Sequence, residues 1–339
     1  MKNFFVPVVN LNQKPLMPTT LLRAKRWIST GKATPFWKKG IFCVRLNVEP
    51  SDNKKQDICV GIDTGIKREA FTVKSTAHTC LNVLTETVDW VKDAIETRRI
   101  RRRTRRYRKT RHRKTRFNNR SKWKIPPSIR VRWQWKLNIL NWLSKMFPIN
   151  DVVIEDLSAK TKKGQRKWNK SFSPLEVGKN WFYDKVREKY TLLIKEGWET
   201  KQLRDELGLK KSSSKLADRF ECHNVDSWVL ANWCVGGHNS PDNKKLLKLI
   251  PMRFHKRQLH VCQFTKRGIR KRHGGTRILG FKKGSLVKHK KYGNTYVGGT
   301  KNNRITLHSL KNKIRITRVA KVEDCVFKTY LGWRFVSCG

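Results

Sequence analysis

ICVGIDTG, residues 58–65, is an apolar run that stops on an acid. The polar linker SDNKKQD (51–57) precedes it, and two further runs rich in β-branched and apolar residues follow, EAFTVKS (69–75) and CLNVLTETVDW (80–90). All three have the length and composition of strands. Alone, Asp63 reads equally well as the cap of the TGI turn, because Asp side chains often close such turns.

Three consecutive strands with a carboxylate at the end of the first predict the opening of a ribonuclease-H-like sheet in an α/β chain. The surrounding charge says what such a sheet serves. Lys and Arg number 78 against 25 Asp and Glu, for a net charge of +53 and a pI of about 10.7, far beyond what solubility requires. With 339 residues, 37% of them hydrophobic, the chain can still bury a core, so it is no basic tail. A polyanion is the natural partner.

The imbalance is concentrated. No Asp or Glu occurs between Thr97 and Asn150, or between Asn243 and Val322. Within the first zone, RRIRRRTRRYRKTRHRKTRFNNR (98–120) carries Arg or Lys at 14 of 23 positions. As a helix it would extend about 35 Å, with a positive charge roughly every 2.5 Å of axis. Duplex nucleic acid carries a negative charge about every 1.7 Å, and at such spacing salt does not screen the repulsion. The charges occupy every helical face, which suits a nucleic-acid groove rather than an amphipathic contact. The competing reading is a solvated charge run without fixed structure.

The remaining layout follows from pattern. Residues 5–50 read as strand FVPVVN, a turn through PLMP (Pro15 to Pro18), a helix from Thr20 to Ile28 capped by Thr19 or Thr20 with Gly31 at its exit, then strands PFWKK and IFCVRLNV. SIRVRWQWKLNILNWLSKMF (128–147) predicts a helix capped at Ser128 with an apolar stripe through Val131, Trp135, Ile139, Trp142 and Met146. DVVIEDL (151–157) predicts a short buried strand, AKTKKGQRKWNKS (159–171) a basic linker, LEVGKNWFYDKVREKYTLLIKEG (175–197) a long helix, and Ser214 to Cys234 a final one. Six short Gly-punctuated runs, GSLVKH, NTYVGG, NRITLHS, KIRITRVA, CVFKTY and WRFVS, predict a small antiparallel barrel of the SH3 or OB kind. The eight cysteines show no CxxC pair and read as reduced thiols. No run has the length of a signal-peptide core or membrane span, so a cytoplasmic, nucleoid-associated protein is expected.

Asp63 and Glu155 end separate predicted strands, and His223 and Asp226 lie three residues apart on one face of the last predicted helix; three carboxylates and a histidine so placed suit hard divalent ions. Two ions about 3.5 to 4 Å apart would activate water and stabilise a leaving oxygen in phosphodiester cleavage. Each residue also has a structural reading: Asp156 competes with Glu155, since strand alternation sends only one of them to a given face, while His223 could be a buried histidine and Asp226 an ion-pair partner.

PLMP, GIDTG, the arginine segment closing with RFNNR, PPSIR, VVIEDL, FSPLEVGK and HNVDSWVLANW, in this order over residues 1 to 235, resemble the transposon-encoded RNA-guided nucleases IscB and IsrB. The resemblance implies a split RuvC domain in which Asp63, Glu155, His223 and Asp226 are catalytic. Asp63, Glu155 and Asp226 would ligate Mg²⁺, two ions with Mn²⁺ as a substitute. It also makes the basic segment a bridge helix whose Arg98, Arg99, Arg102, Arg103, Arg105, Arg106, Arg113, Arg116 and Arg120 lie against guide RNA and heteroduplex. Only 67 residues lie between Glu155 and His223, too few for an HNH nuclease domain, and the zinc-ribbon CxxC pairs of TnpB relatives are missing. The branch implied is the HNH-lacking nickase, which cuts the displaced non-target strand.

On that resemblance the chain divides into an N-terminal PLMP domain (1–56), RuvC segment I (57–92), bridge helix (93–120), RuvC segment II (121–159), RuvC segment III with its preceding helices (160–240), and a barrel-like C-terminal region (241–339). That last region would hold RNA and read a short flanking DNA motif, with Arg270, Arg272, Arg277 and Lys283 as candidates. The expected partners are a large non-coding guide RNA and double-stranded target DNA, with no membrane, in a ribonucleoprotein containing one copy of the chain. Two rivals share much of this pattern: an unguided RuvC-type junction nuclease, and a non-catalytic RNA-binding protein whose acids are structural.

Overall fold

A computed structural model describes residues 5–50, 55–107, 125–156, 175–214, 216–253, 262–263, 268–269, 277–312 and 314–338. The chain divides into two compact units, one holding Met1–Lys55, Met146–Pro148 and Lys244–Gly339, the other Gln56–Lys145 and Ile149–Asn243.

In the first unit, β1 (Val6–Val9), β2 (Pro15–Thr19), α1 (Leu21–Ser29), β3 (Ala33–Lys38) and β4 (Ile41–Leu46) form a four-stranded sheet, ordered β2-β1-β4-β3, with one helix. Its core gathers Val6, Val8, Ala24, Ala33, Val44 and Leu46. Thr20 caps α1, its hydroxyl accepting from the Arg23 amide at 3.4 Å. PLMP is not the expected turn but lies within β2. The prolines fit there because β2 is an edge strand, with only one side hydrogen-bonded.

The second unit contains β5 (Ile58–Asp63), β6 (Arg68–Ser75), β7 (Thr79–Glu86), α2 (Val91–Tyr107), α3 (Pro127–Leu143), β8 (Asp151–Asp156), α4 (Lys179–Arg187), β9 (Thr191–Glu196), α5 (Gly197–Glu206), α6 (Phe220–His223) and α7 (Val225–Val235). Its strands run in the order β7-β6-β5-β8-β9. The first three are antiparallel neighbours, while β8 joins β5 in parallel and β9 joins β8 in parallel. Three antiparallel strands extended by two parallel ones make the ribonuclease-H-like arrangement that the opening run predicts. β5 is apolar from Ile58 to Ile62, up to its terminal Asp63, because both its faces are covered. α7 lies on one face, where Leu230 packs against Cys59 and Val153. α3 covers the other face of the sheet, its Trp135 indole donating to Thr85 Oγ1 at 3.0 Å.

Three helix expectations are corrected here. The long helix over 175–197 ends at Arg187, and TLLIKE is β9 instead, because its branched apolar residues pair with β8 at Ile194 against Ile154. A capping box between Glu196 and Glu199 then starts α5. The final helix begins at Phe220 rather than Ser214 and breaks at Asn224, whose Nδ2 donates to the carbonyls of Phe71 and Val83 at 3.4 and 3.3 Å. α3 starts on Pro127 without the side-chain cap expected of Ser128; proline suits a first turn, where its missing N–H is not needed.

The rest of the first unit is β-rich. β10 (Leu246–Pro251) is followed by two-residue ladders of β11 (Cys262–Gln263) with β12 (Gly268–Ile269) and β13 (Arg277–Ile278) with β14 (Phe281–Lys282). Next come β15 (Ser285–His289), β16 (Gly293–Lys301), β17 (Arg304–Ser309), β18 (Arg315–Ala320), β19 (Cys325–Tyr330) and β20 (Trp333–Cys338). Five of them form an antiparallel sheet, ordered β18-β17-β16-β15-β19, around Val287, Val297, Ile305 and Leu307. The sixth run expected in a barrel, WRFVS, leaves this sheet and pairs as β20 with β10. Among the described residues no helix is long and apolar enough to cross a membrane.

Candidate metal centre

Strand alternation decides which acids meet. Cys59 packs under α7, so Gly61 and Asp63, two and four residues on, face the same way. Val153 packs there too, which sends Glu155 to that face and Asp156 to the other. β5 and β8 pair in parallel, with Ile62 beside Ile154, so Asp63 and Glu155 are neighbours across the two strand ends. α7 brings Asp226 down over them in its first turn. One ligand oxygen from each of Asp63, Glu155 and Asp226 lies within 4.8 Å of the other two. Asp156 instead anchors α4, meeting Lys179 Nζ with both oxygens at 3.0 Å and the Tyr183 hydroxyl at 2.9 Å.

Three carboxylates this close repel one another, and the structure shows how the repulsion is met. Lys211 Nζ donates to Asp226 Oδ2 and, at 3.4 Å, to Asp63 Oδ2. Arg204 Nη1 takes the other Asp226 oxygen at 2.9 Å. Glu155 Oε2 is buried without a hydrogen-bond partner, on a residue only 9% exposed. Burial, then the charges of Asp63 and Asp226, push the Glu155 carboxyl up to about 8. Loss of water also raises Asp63; Lys211 pulls it back, and Asp226 adds to the rise. Burial works against the Lys211 charge, but Asp63 and Asp226 overcome it and hold the ammonium above its ordinary range.

The donor set fits a hard divalent cation: all oxygens, convergent, with one buried oxygen still unpaired. Asp63, Glu155 and Asp226 would hold it.

His223 does not join this cluster as placed. Arg68 Nη1 donates to its Nε2 at 2.9 Å, and a guanidinium can only donate, so Nε2 is the unprotonated nitrogen. Burial, then the Arg68 charge, lowers the His223 pKa. Arg68 also binds the carbonyls of Leu216 and Ala217 at 2.9 and 3.1 Å and Asp218 at 3.1 Å, tying His223 to the chain ahead of it.

Of the basic candidates, Arg98, Arg99, Arg102 and Arg103 are exposed along α2, and Arg105 and Arg106 belong to the same helix. Arg113, Arg116, Arg120, Arg270 and Arg272 lie outside the described residues. Arg277 is exposed on β13. Sequence reasoning missed Lys211, Arg204 and Arg68. In a chain with 78 Lys and Arg, nothing in the sequence marks one lysine as facing acids.

No curated protein sequence matches the chain. Among solved structures, the yeast mitochondrial Holliday junction resolvase Ydc2 is similar at 12% identity and a TM-score of 0.26, covering 53% of this chain and 78% of that one. The family model described as RRXRR protein matches residues 6–171. That span holds PLMP, GIDTG and VVIEDL, and the pattern of the family's name occurs twice, in RRIRR (98–102) and RRTRR (102–106).

Proposed function

We propose that this chain is an RNA-guided endonuclease that nicks one DNA strand, the displaced one, at a RuvC-type metal site. The observation that carries the reading is the convergence of Asp63, Glu155 and Asp226 from β5, β8 and α7 in a chain of net charge +53. When bound there, Mg²⁺ or Mn²⁺ ions would activate a water and neutralise the leaving oxygen. Asp63 and Glu155 would fix the ligand geometry from paired strands, and Arg204 orients Asp226 by donating to its Oδ1. A single such site cuts one strand per engagement.

The arginines of α2 supply phosphate contacts without sequence preference, so sequence choice falls to a paired guide, a large non-coding RNA. The β-rich part of residues 241–339 is the candidate holder of that RNA and reader of a flanking motif. A charge of this size suits residence on the nucleoid, one copy per ribonucleoprotein.

The test is direct. Asp63→Ala and Glu155→Ala should each abolish nicking while guide-dependent DNA binding persists, and the copurified RNA should join a constant scaffold to a variable segment. Nicking by RNA-free protein would replace guidance with an unguided junction activity. Nicking by Asp63→Ala would remove the metal site from the account.

A further inference from the structure

Lys211 stands where a metal would compete with it. Its Nζ lies between Asp63 Oδ2 and Asp226 Oδ2, and its side chain is 33% exposed. The backbone beneath it is fixed on both sides. Gly208, at φ +65°, turns the chain out of α5, with its amide on the Asp205 carbonyl at 3.0 Å, and the Leu209 amide reaches Arg204 O at 3.0 Å. Beyond Lys211, the Ser212 amide donates to Glu221 O at 2.8 Å. The ammonium can therefore leave the carboxylates by side-chain rotation alone, without unfolding a turn.

Charge and hydrogen bonding both make Lys211 an incomplete occupant. Counted with all three carboxylates ionised, as metal ligands must be, Arg204 and Lys211 leave one negative charge over, and exchanging the ammonium for a divalent ion closes that gap. The ammonium also leaves Glu155 Oε2 unsatisfied. Arg204 is a different kind of partner, since it takes only Asp226 Oδ1 and leaves both Oδ2 atoms to the site.

We propose that Lys211 is the resident counter-ion of the carboxylate cluster, holding Asp63 and Asp226 together until a divalent ion displaces its ammonium. The inference deepens the metal-site reading above and rests on it. In the metal-free protein Lys211 limits repulsion among the acids; on metal entry its side chain turns toward solvent.

The experiment is lysine acetylation of the full chain with its copurified RNA, read peptide by peptide by mass spectrometry, in chelator and in Mn²⁺. Lys211 should react slowly in chelator and several-fold faster in Mn²⁺, while Lys179, bound to Asp156 and Glu176, reacts equally in both. A Lys211 rate unchanged by Mn²⁺ overturns the displacement, provided Mn²⁺ raises the melting temperature of the wild type more than that of Asp63→Asn. If the two proteins respond alike to Mn²⁺, the metal site itself fails. A second variant separates a displaced lysine from a permanent ion pair. Lys211→Met should melt below the wild type in chelator and alongside it in Mn²⁺; a deficit that persists in Mn²⁺ would make the lysine merely structural.

Discussion

Gly61 lies directly beneath Ser227: a β-carbon added to Gly61 would stand 1.9 Å from the Ser227 carbonyl oxygen and 2.8 Å from the Ala231 amide nitrogen. Both partners are helix backbone, so no rotamer change relieves the clash. α7 can sit on β5, and Asp226 can reach Asp63, only because this position has no side chain.

Gly61→Ala should therefore lift α7, lower stability by about 1–3 kcal/mol or more, and remove nicking along with metal binding. Gly299→Ala, at a site with open space around it, should leave both unchanged. Thermal melting and a plasmid-nicking assay on the two variants check this.

Lys136 and Glu69 form an ion pair at 2.9 Å with side chains 1% and 0% exposed, the ammonium lying 4.2 Å from the Trp133 ring centroid. Burial raises the Glu69 pKa despite the pull of Lys136. Lys136→Met strands a buried carboxyl and should cost on the order of 3–5 kcal/mol. Adding Glu69→Leu should recover most of the loss, because two apolar side chains need no compensation. Denaturant midpoints of the single and double variants measure the difference.

His223 gives a pH dependence of defined sign. Its folded pKa lies below the ordinary 6.5, through burial and then the Arg68 charge, so in the window just under 6.5 the unfolded chain binds more protons than the folded one. Stability from this group is full above about pH 6.5 and falls as pH drops through that window to the lowered folded pKa. His223→Gln should flatten this limb of the stability–pH curve, while a limb of unchanged slope would show that other groups set it.

The α2 arginines should act through phosphate. Replacing Arg98, Arg99, Arg102 and Arg103 with Gln should weaken nucleic-acid binding without changing sequence preference. For every phosphate that an arginine no longer neutralises, the slope of log affinity against log salt should become shallower by about 0.9 on duplex or 0.7 on single strands. A titration across salt concentrations reads the slope, and loss of sequence discrimination would contradict a backbone role.

Local pattern revealed the parts of the site that local chemistry decides. Asp63 ends an apolar run, VVIE is a short apolar strand carrying an acid, and Thr20 is a capping residue placed before a helix. What long-range packing decides stayed hidden. TLLIKE continues a helical pattern in sequence and becomes a strand only because β8 offers an edge to pair with. Glu155 and Asp156 are interchangeable until α7 identifies the covered face. Lys211 belongs to the same class: its significance comes from acids 148 and 15 positions away.

The direct parallel pairing of β5 with β8 has an architectural consequence. The chain leaves β5 beyond Asp63 and must cross back to enter β8 at Asp151, beside Cys59; with both ends fixed by the sheet, the path between can lengthen at an entropic cost that grows only with the logarithm of its contour. The two strand-borne carboxylates stay put however far the excursion reaches. Such a centre tolerates large insertions, and an arginine-laden arm could be grafted into it without disturbing the chemistry.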